Sequence, residues 1–174
     1  MLSRWRARVR SNRTASELYG SIVAAARREP FYSVYGVPDT PDGRFAMIIV
    51  HSYLVLERLQ HTGGPGQTLT RPLVEAFVTD MDDCMREMGV GDLTVPRKVK
   101  KAAGALYECA AEFRKAEQAG SEAALTEAVH KKLLPFAPRS AAASVAAYMR
   151  RATATLAACP DADLLSGRAT FEDV

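Results

Sequence analysis

The residues of this chain whose types could do chemistry are few, and their spacing assembles no reactive set. Glu127 and His130 stand three apart, which puts a carboxylate and an imidazole on one helix face, as di-iron bundles use them. Such a site needs a second copy and two further glutamates on facing helices, and the chain has one copy. His51, His61 and His130 contain no His-x-x-x-His or His-Glu-x-x-His pair, so a zinc enzyme has no ligand set. Cys84, Cys109 and Cys159 are odd in number and never form C-x-x-C, which reads as buried thiols in a reducing compartment. No Gly-x-Ser-x-Gly elbow occurs. Gly63-Gly64-Pro65-Gly66 lacks the Gly-Lys-Ser/Thr ending of a phosphate loop, and Gly89-Val90-Gly91 lacks the rest of a dinucleotide fingerprint. Asp82 and Asp83 are adjacent, so on a helix they diverge. The expectation is no catalytic residue, no metal and no cofactor: a binding protein rather than an enzyme.

Three features could carry binding. The formal charge is +3, but Arg4, Arg6, Arg8, Arg10 and Arg13 all precede the first acidic residue, Glu17, which leaves 18 of the 23 basic residues against 20 acidic ones. A basic arm on a near-neutral body points to an anionic surface, phospholipid or nucleic acid. On a helical wheel Leu2, Trp5 and Val9 share a face while Arg4, Arg6, Arg8 and Arg10 lie around it. That is the pattern of a helix lying on an anionic membrane, with a disordered basic tail as the other reading. The second feature is Arg97, Lys98, Lys100 and Lys101 at a helix start, where cations oppose the dipole. Either the acidic stripe Asp80, Asp83 and Glu87 or an anionic partner would compensate them. The third is Met81, Met85 and Met88, read as core before a flexible binding surface.

The elements that must position these residues are helical throughout. Thr14 and Glu17 have capping-box spacing, so a first helix is expected from Thr14 to Pro30, carrying Leu18, Ile22 and Ala25. Thr40 with Pro41 opens a second, nearly all-apolar helix to His61. Leu73, Phe77, Met81 and Met88 mark a third, ended by Gly89, and Pro96 starts a fourth with Leu106, Cys109 and Phe113 inward. Ser121 opens a fifth, and Ser140 to Ala158 is a last, Ala-rich one, followed by a tail whose Leu164, Leu165 and Phe171 can dock. No stretch alternates with period two. The fold class is all-α: a single compact bundle of about six helices with short loops, residues 14–174, behind a basic amphipathic arm, residues 1–13. No 18-residue apolar window spans a membrane, since the densest run, Phe45 to Leu56, is broken by His51 and Ser52. The arm lacks the apolar core of a secretory signal, though its acid-free, Arg-rich character is also that of a mitochondrial presequence.

Taken together, Gly36-Val-Pro-Asp-Thr-Pro-Asp-Gly-Arg-Phe45, His51 with Leu54 to Leu59, Asp80-Met-Asp82, Arg86-Glu-Met-Gly-Val-Gly-Asp-Leu93 and Val95-Pro-Arg-Lys-Val-Lys100 resemble the ubiquinol-cytochrome c chaperone family. The likeness spans roughly residues 18 to 115, and departs where the family shows an aromatic-Gly pair and this chain has Leu106-Tyr107-Glu108. It implies an all-helical assembly factor for the cytochrome bc1 complex that binds newly made cytochrome b and catalyses nothing. The implied client surface is Asp42, Arg44, Phe45, His51, Asp80, Asp82, Arg86, Arg97, Lys98 and Lys101; for Asp42, Arg44 and Asp82 an internal salt-bridge network is the equal alternative. Mitochondrial members of that family work with a small partner subunit near the ribosome, a partner the residues of this chain do not indicate; the short arm resembles a bacterial member at the cytoplasmic face of the inner membrane, the matrix being the equivalent place in a mitochondrion. A ribosome- or RNA-associated basic helical module is the competing class, with affinity that falls steeply with salt.

Overall fold

Apolar side chains recurring every three to four residues fold the described residues into eight helices: α1 (Leu2–Ala26), α2 (Pro30–Ser33), α3 (Pro41–His61), α4 (Gly64–Glu87), α5 (Val95–Gln118), α6 (Glu122–Lys132), α7 (Arg139–Ala158) and α8 (Asp161–Leu165). Six are long, as expected, and α2 and α8 are single turns. The structure is a computed structural model that describes residues 2–174, apart from the side chains of Leu2, Ser3, Arg4 and Ala7, and no strand occurs among the described residues. The membrane contacts expected of Leu2 and Arg4 lie outside the described residues.

α3 is the centre. Met47, Ile49, Val50, Val55 and Leu59 are wholly buried, and its neighbours α1, α4, α5 and α7 all pack against it. Its start is built locally. Gly36 takes φ +76°, a region that suits glycine. Val37 is buried, and its amide donates to the Phe31 carbonyl at 3.1 Å. The Thr40 hydroxyl caps the helix by accepting from the Gly43 amide at 3.2 Å, with Pro41 at the first position. Gly43 lets the helix press against the preceding loop, because a Cβ there would meet the Pro38 carbonyl oxygen at 1.9 Å.

α3 and α4 form an antiparallel hairpin in which Phe45 and Phe77 lie 6.4 Å apart. α1 runs parallel to α4: Ser11 donates to the Thr68 carbonyl at 3.4 Å near one end, and Tyr19 donates to Asp80 at 2.7 Å towards the other. The C-terminal tail straps this assembly, with Leu164 and Phe171 buried and Gly167 pressed against Thr14 and Glu17.

Two expectations about elements are corrected. No helix begins at Thr14; α1 is continuous from Leu2, and residues 2–13 are its first half rather than a separate arm. The Thr14 hydroxyl does not have to cap anything, because the amides it would have capped are already bonded within the helix. Met88 does not join the apolar face of α4, since the helix ends at Glu87 and the chain turns away, leaving Met88 61% exposed.

Candidate functional site

The helix directions gather most of the expected client residues at one end of the bundle. Antiparallel α3 brings its start to the finish of α4, and the turn 88–94 brings the start of α5 there as well. Asp42, Arg44, Phe45, Asp80, Asp82, Arg86, Arg97, Lys98 and Lys101 therefore share an end. Of these, Phe45 is half-buried and engaged with Phe77. Asp80 is also engaged internally. It accepts from the Tyr19 phenol, whose burial, followed by that bond, raises its pKa above the ordinary tyrosine value.

The ion pairs at this end are short, exposed and local. Arg44 donates to Asp39 at 2.7 Å, a bond that lowers the Asp39 carboxyl below its usual range. Arg86 grips Asp82 and Asp92, each at 2.5 Å, tying the last turn of α4 to the loop after it. The carboxylates thus do not neutralise the next helix: among the described residues Arg97, Lys98, Lys100 and Lys101 form no ion pair, although all are exposed. Beside them Leu93 is 99% exposed. Sequence reasoning had Leu93 only as part of a motif; its signal was a lone apolar residue between Asp92 and Thr94 in a polar turn. This end offers unpaired cations around unburied apolar groups, a surface that can hold a partly apolar, partly acidic chain segment.

His51 is corrected outright. It has no exposure and cannot touch a client. Its Nδ1 lies 2.7 Å from the Met47 carbonyl and its Nε2 2.8 Å from the Tyr148 hydroxyl. A carbonyl only accepts, so Nδ1 carries the proton, and the neutral ring's Nε2 accepts from Tyr148. Phe31 and Phe171 close over the ring edge-on at 5.4 and 4.9 Å. Burial pushes the imidazole pKa from 6.5 to about 4, against the opposing pull of the Met47 bond. His51 sits there because α3 is apolar nearly all round and needs a polar clasp to α7 and the tail.

No alternative chemistry emerges among the described residues. No group of three or more His, Cys, Asp or Glu side chains could hold a metal ion. Glu127 pairs with Arg139 at 2.7 Å instead of joining His130. A cleft of ≈ 440 Å³ lined by Tyr53, Glu57, Arg58 and Glu117 is internally satisfied. Tyr53 donates to Glu117 at 2.8 Å, Arg114 holds Glu57 at 2.7 Å, and Arg58 holds Asp161 at 2.5 Å. No described helix is long and apolar enough to cross a membrane. At the opposite end of the bundle from the cations of α5, Trp5, Arg6, Arg8, Val9 and Arg10 are exposed on the first half of α1.

Comparison with known proteins supplies what the geometry lacks. No curated protein is matched by the sequence. In structure the chain is similar to the crystal structure of the Cbp3 homolog from Brucella abortus, with a TM-score of 0.82 and 31% identity over 99% of this chain and 96% of that one. The family model described as ubiquinol-cytochrome C chaperone matches residues 33–171, which takes in α3 to α8 and every segment that carried the sequence likeness from Gly36 onward. The chain belongs to the ubiquinol-cytochrome C chaperone family.

Proposed function

We propose that this protein is an assembly chaperone of the cytochrome bc1 complex that captures newly made cytochrome b, working at the inner membrane without crossing it. The supporting observation is the end of the bundle where α3 starts, α4 finishes and α5 begins: Leu93 and Met88 stand unburied beside Arg97, Lys98, Lys100 and Lys101, which have no carboxylate partners. A multi-span client awaiting insertion or cofactors exposes apolar segments, and a holder needs an apolar grip with a charged rim rather than an active site.

The contacts assigned to this surface are Leu93 and Met88 with Arg44, Arg97, Lys98 and Lys101. Asp42 and Asp82 flank it, while Asp80 and Phe45 act beneath it through Tyr19 and Phe77. The test is co-purification of cytochrome b with the wild-type chain and with Leu93→Ser plus Lys98→Glu, both changes at exposed positions, with melting curves alongside. Capture should fall at least tenfold while the melting temperature holds, since exposed substitutions usually stay within about 0.5 kcal/mol. Undiminished capture by the double variant would remove this surface from the reading, and no cytochrome b with either protein would remove the client.

A further inference from the structure

We propose that the outward side of the first half of α1 seats the protein on an anionic phospholipid surface, with the helix lying flat. At about 100° per residue, Leu18 and Ile22 point to the core, and Trp5, Arg6, Val9, Arg10 and Arg13 point about 100–180° away from them. Trp5 is 64% exposed and Val9 50%, one turn apart on the same side. The Ser11–Thr68 register places the first turn of α1, with Trp5, beyond Gly64, the first residue of α4, while Val9 and Arg10 run alongside α4 with their outward side open.

Charge decides the occupant. α1 carries five arginines and one carboxylate, Glu17, which Arg13 already holds at 2.9 Å. Among the described residues Arg6, Arg8 and Arg10 have no ion-pair partner. An apolar pair centred on Trp, flanked by arginines, fits the boundary between headgroups and acyl chains: the indole and valine enter it and the guanidiniums meet phosphates. A nucleic acid would use the arginines and stack on Trp5 but leave Val9 in water. On the α4 side an open cleft of ≈ 510 Å³ is lined by Arg8, Arg71 and Glu75; Glu75 already holds Arg71 at 2.8 Å, so Arg8 is the cation this rim leaves for a headgroup.

Continuity with the core half of α1 gives the seat a consequence that a flexible tail would lack. Because residues 2–13 and 14–26 are one helix, a flat first half lays α1 and its parallel neighbour α4 along the membrane plane. The cation-rich end at the start of α5 is then held beside the surface rather than pointed away from it. The proposal does not depend on the identity of the client.

Trp5 is the chain's single tryptophan, so its emission reports insertion directly. The full chain is titrated with vesicles of phosphatidylcholine alone and with vesicles carrying about a quarter phosphatidylglycerol, a composition that develops a negative surface potential. Emission should move to shorter wavelength, and the protein should co-sediment, only with the anionic vesicles, and added salt should reverse both. Arg6→Gln and Arg10→Gln should each weaken binding about fivefold and together about thirtyfold. Far-UV circular dichroism confirms that the helix persists, and cytochrome b capture in detergent should be unchanged. Four results would overturn the seat: no vesicle binding; equal binding to neutral vesicles without arginine dependence; tighter binding to single-stranded RNA than to vesicles at equal salt; or loss of detergent capture in the double variant.

Discussion

The buried imidazole makes the stability of this protein depend on pH in a window its sequence does not advertise. His51 is neutral in the folded chain, with a pKa lowered from 6.5 to about 4 by burial. In the unfolded chain it takes up a proton as pH falls through 6.5, so between 6.5 and about 4 the unfolded state binds more protons and stability drops with falling pH. Below about 4 both states are protonated and this loss stops. At about 1.4 kcal/mol per pH unit, the gap corresponds to about 3 kcal/mol, a large share of a typical domain's 5–15 kcal/mol. Acidic groups contribute their own pH dependence, so the contrast must be a variant in which the imidazole is the one group lost that titrates in this window. His51→Leu with Tyr148→Phe removes both ends of the buried bond and leaves no orphaned polar atom, a change that can be nearly neutral at pH 7. Urea unfolding of both proteins at half-unit steps from pH 7.5 to 4 gives the difference curve. It should be flat above pH 6.5 and fall by about 3 kcal/mol by pH 4, the wild type losing more. Parallel curves would refute a neutral, buried His51. Tyr148→Phe alone strands Nε2 and should cost about 1–3 kcal/mol at pH 7.

Other substitutions test separate joints of the fold. Arg58 donates to the Leu156 and Cys159 carbonyls at 2.7 and 2.9 Å and to Asp161, closing the end of α7; Arg58→Ala should destabilise by about 2 kcal/mol in thermal melts, and Arg58→Lys should recover only part. Gly43→Ala drives a Cβ into the Pro38 carbonyl and should cost about 1–3 kcal/mol net, the clash outweighing the roughly 1 kcal/mol that alanine gains over glycine in a helix. Cys109, buried and with its thiol pushed up to about 11 mainly by that burial, should resist iodoacetamide at pH 8 in the native protein and react on unfolding, as mass spectrometry of labelled peptides would show.

Helix existence was legible in the sequence because caps and breakers are local. Thr40-Pro41, Gly63, Gly89 and Pro138 act within a turn or two, and α3, α5, α6 and α7 start and stop within a residue or two of where those signals place them. The errors came where a local signal met a longer one. Thr14 and Glu17 spell a capping box, yet Leu2 to Arg13 already had helical patterning, and the helix ran through. Single turns such as α2 and α8 hold too few residues to show a period. At the candidate site, sign and exposure were the hidden quantities. His51 was expected at the client surface because it lies in a segment that carries the family likeness, but a polar residue in the middle of a central helix is more readily a buried clasp, and only the fold supplies Tyr148, 97 residues away, as its partner.

The same distinction divides the segments that first pointed to the family. Pro-Asp-Thr-Pro-Asp-Gly from Pro38 to Gly43 is explained by architecture: a cap, a first-position proline and a glycine forced by close approach. Asp80 is explained by Tyr19, and Asp82 and Asp92 by Arg86. Among the described residues no ion pair engages Arg97, Lys98, Lys100 or Lys101, and Leu93 beside them is 99% exposed. Cations in the first turns of α5 also work against its dipole. A folded chain gains nothing by holding an apolar group in water among uncompensated charges. The internal account therefore stops at the turn between α4 and α5, the surface proposed above for the client.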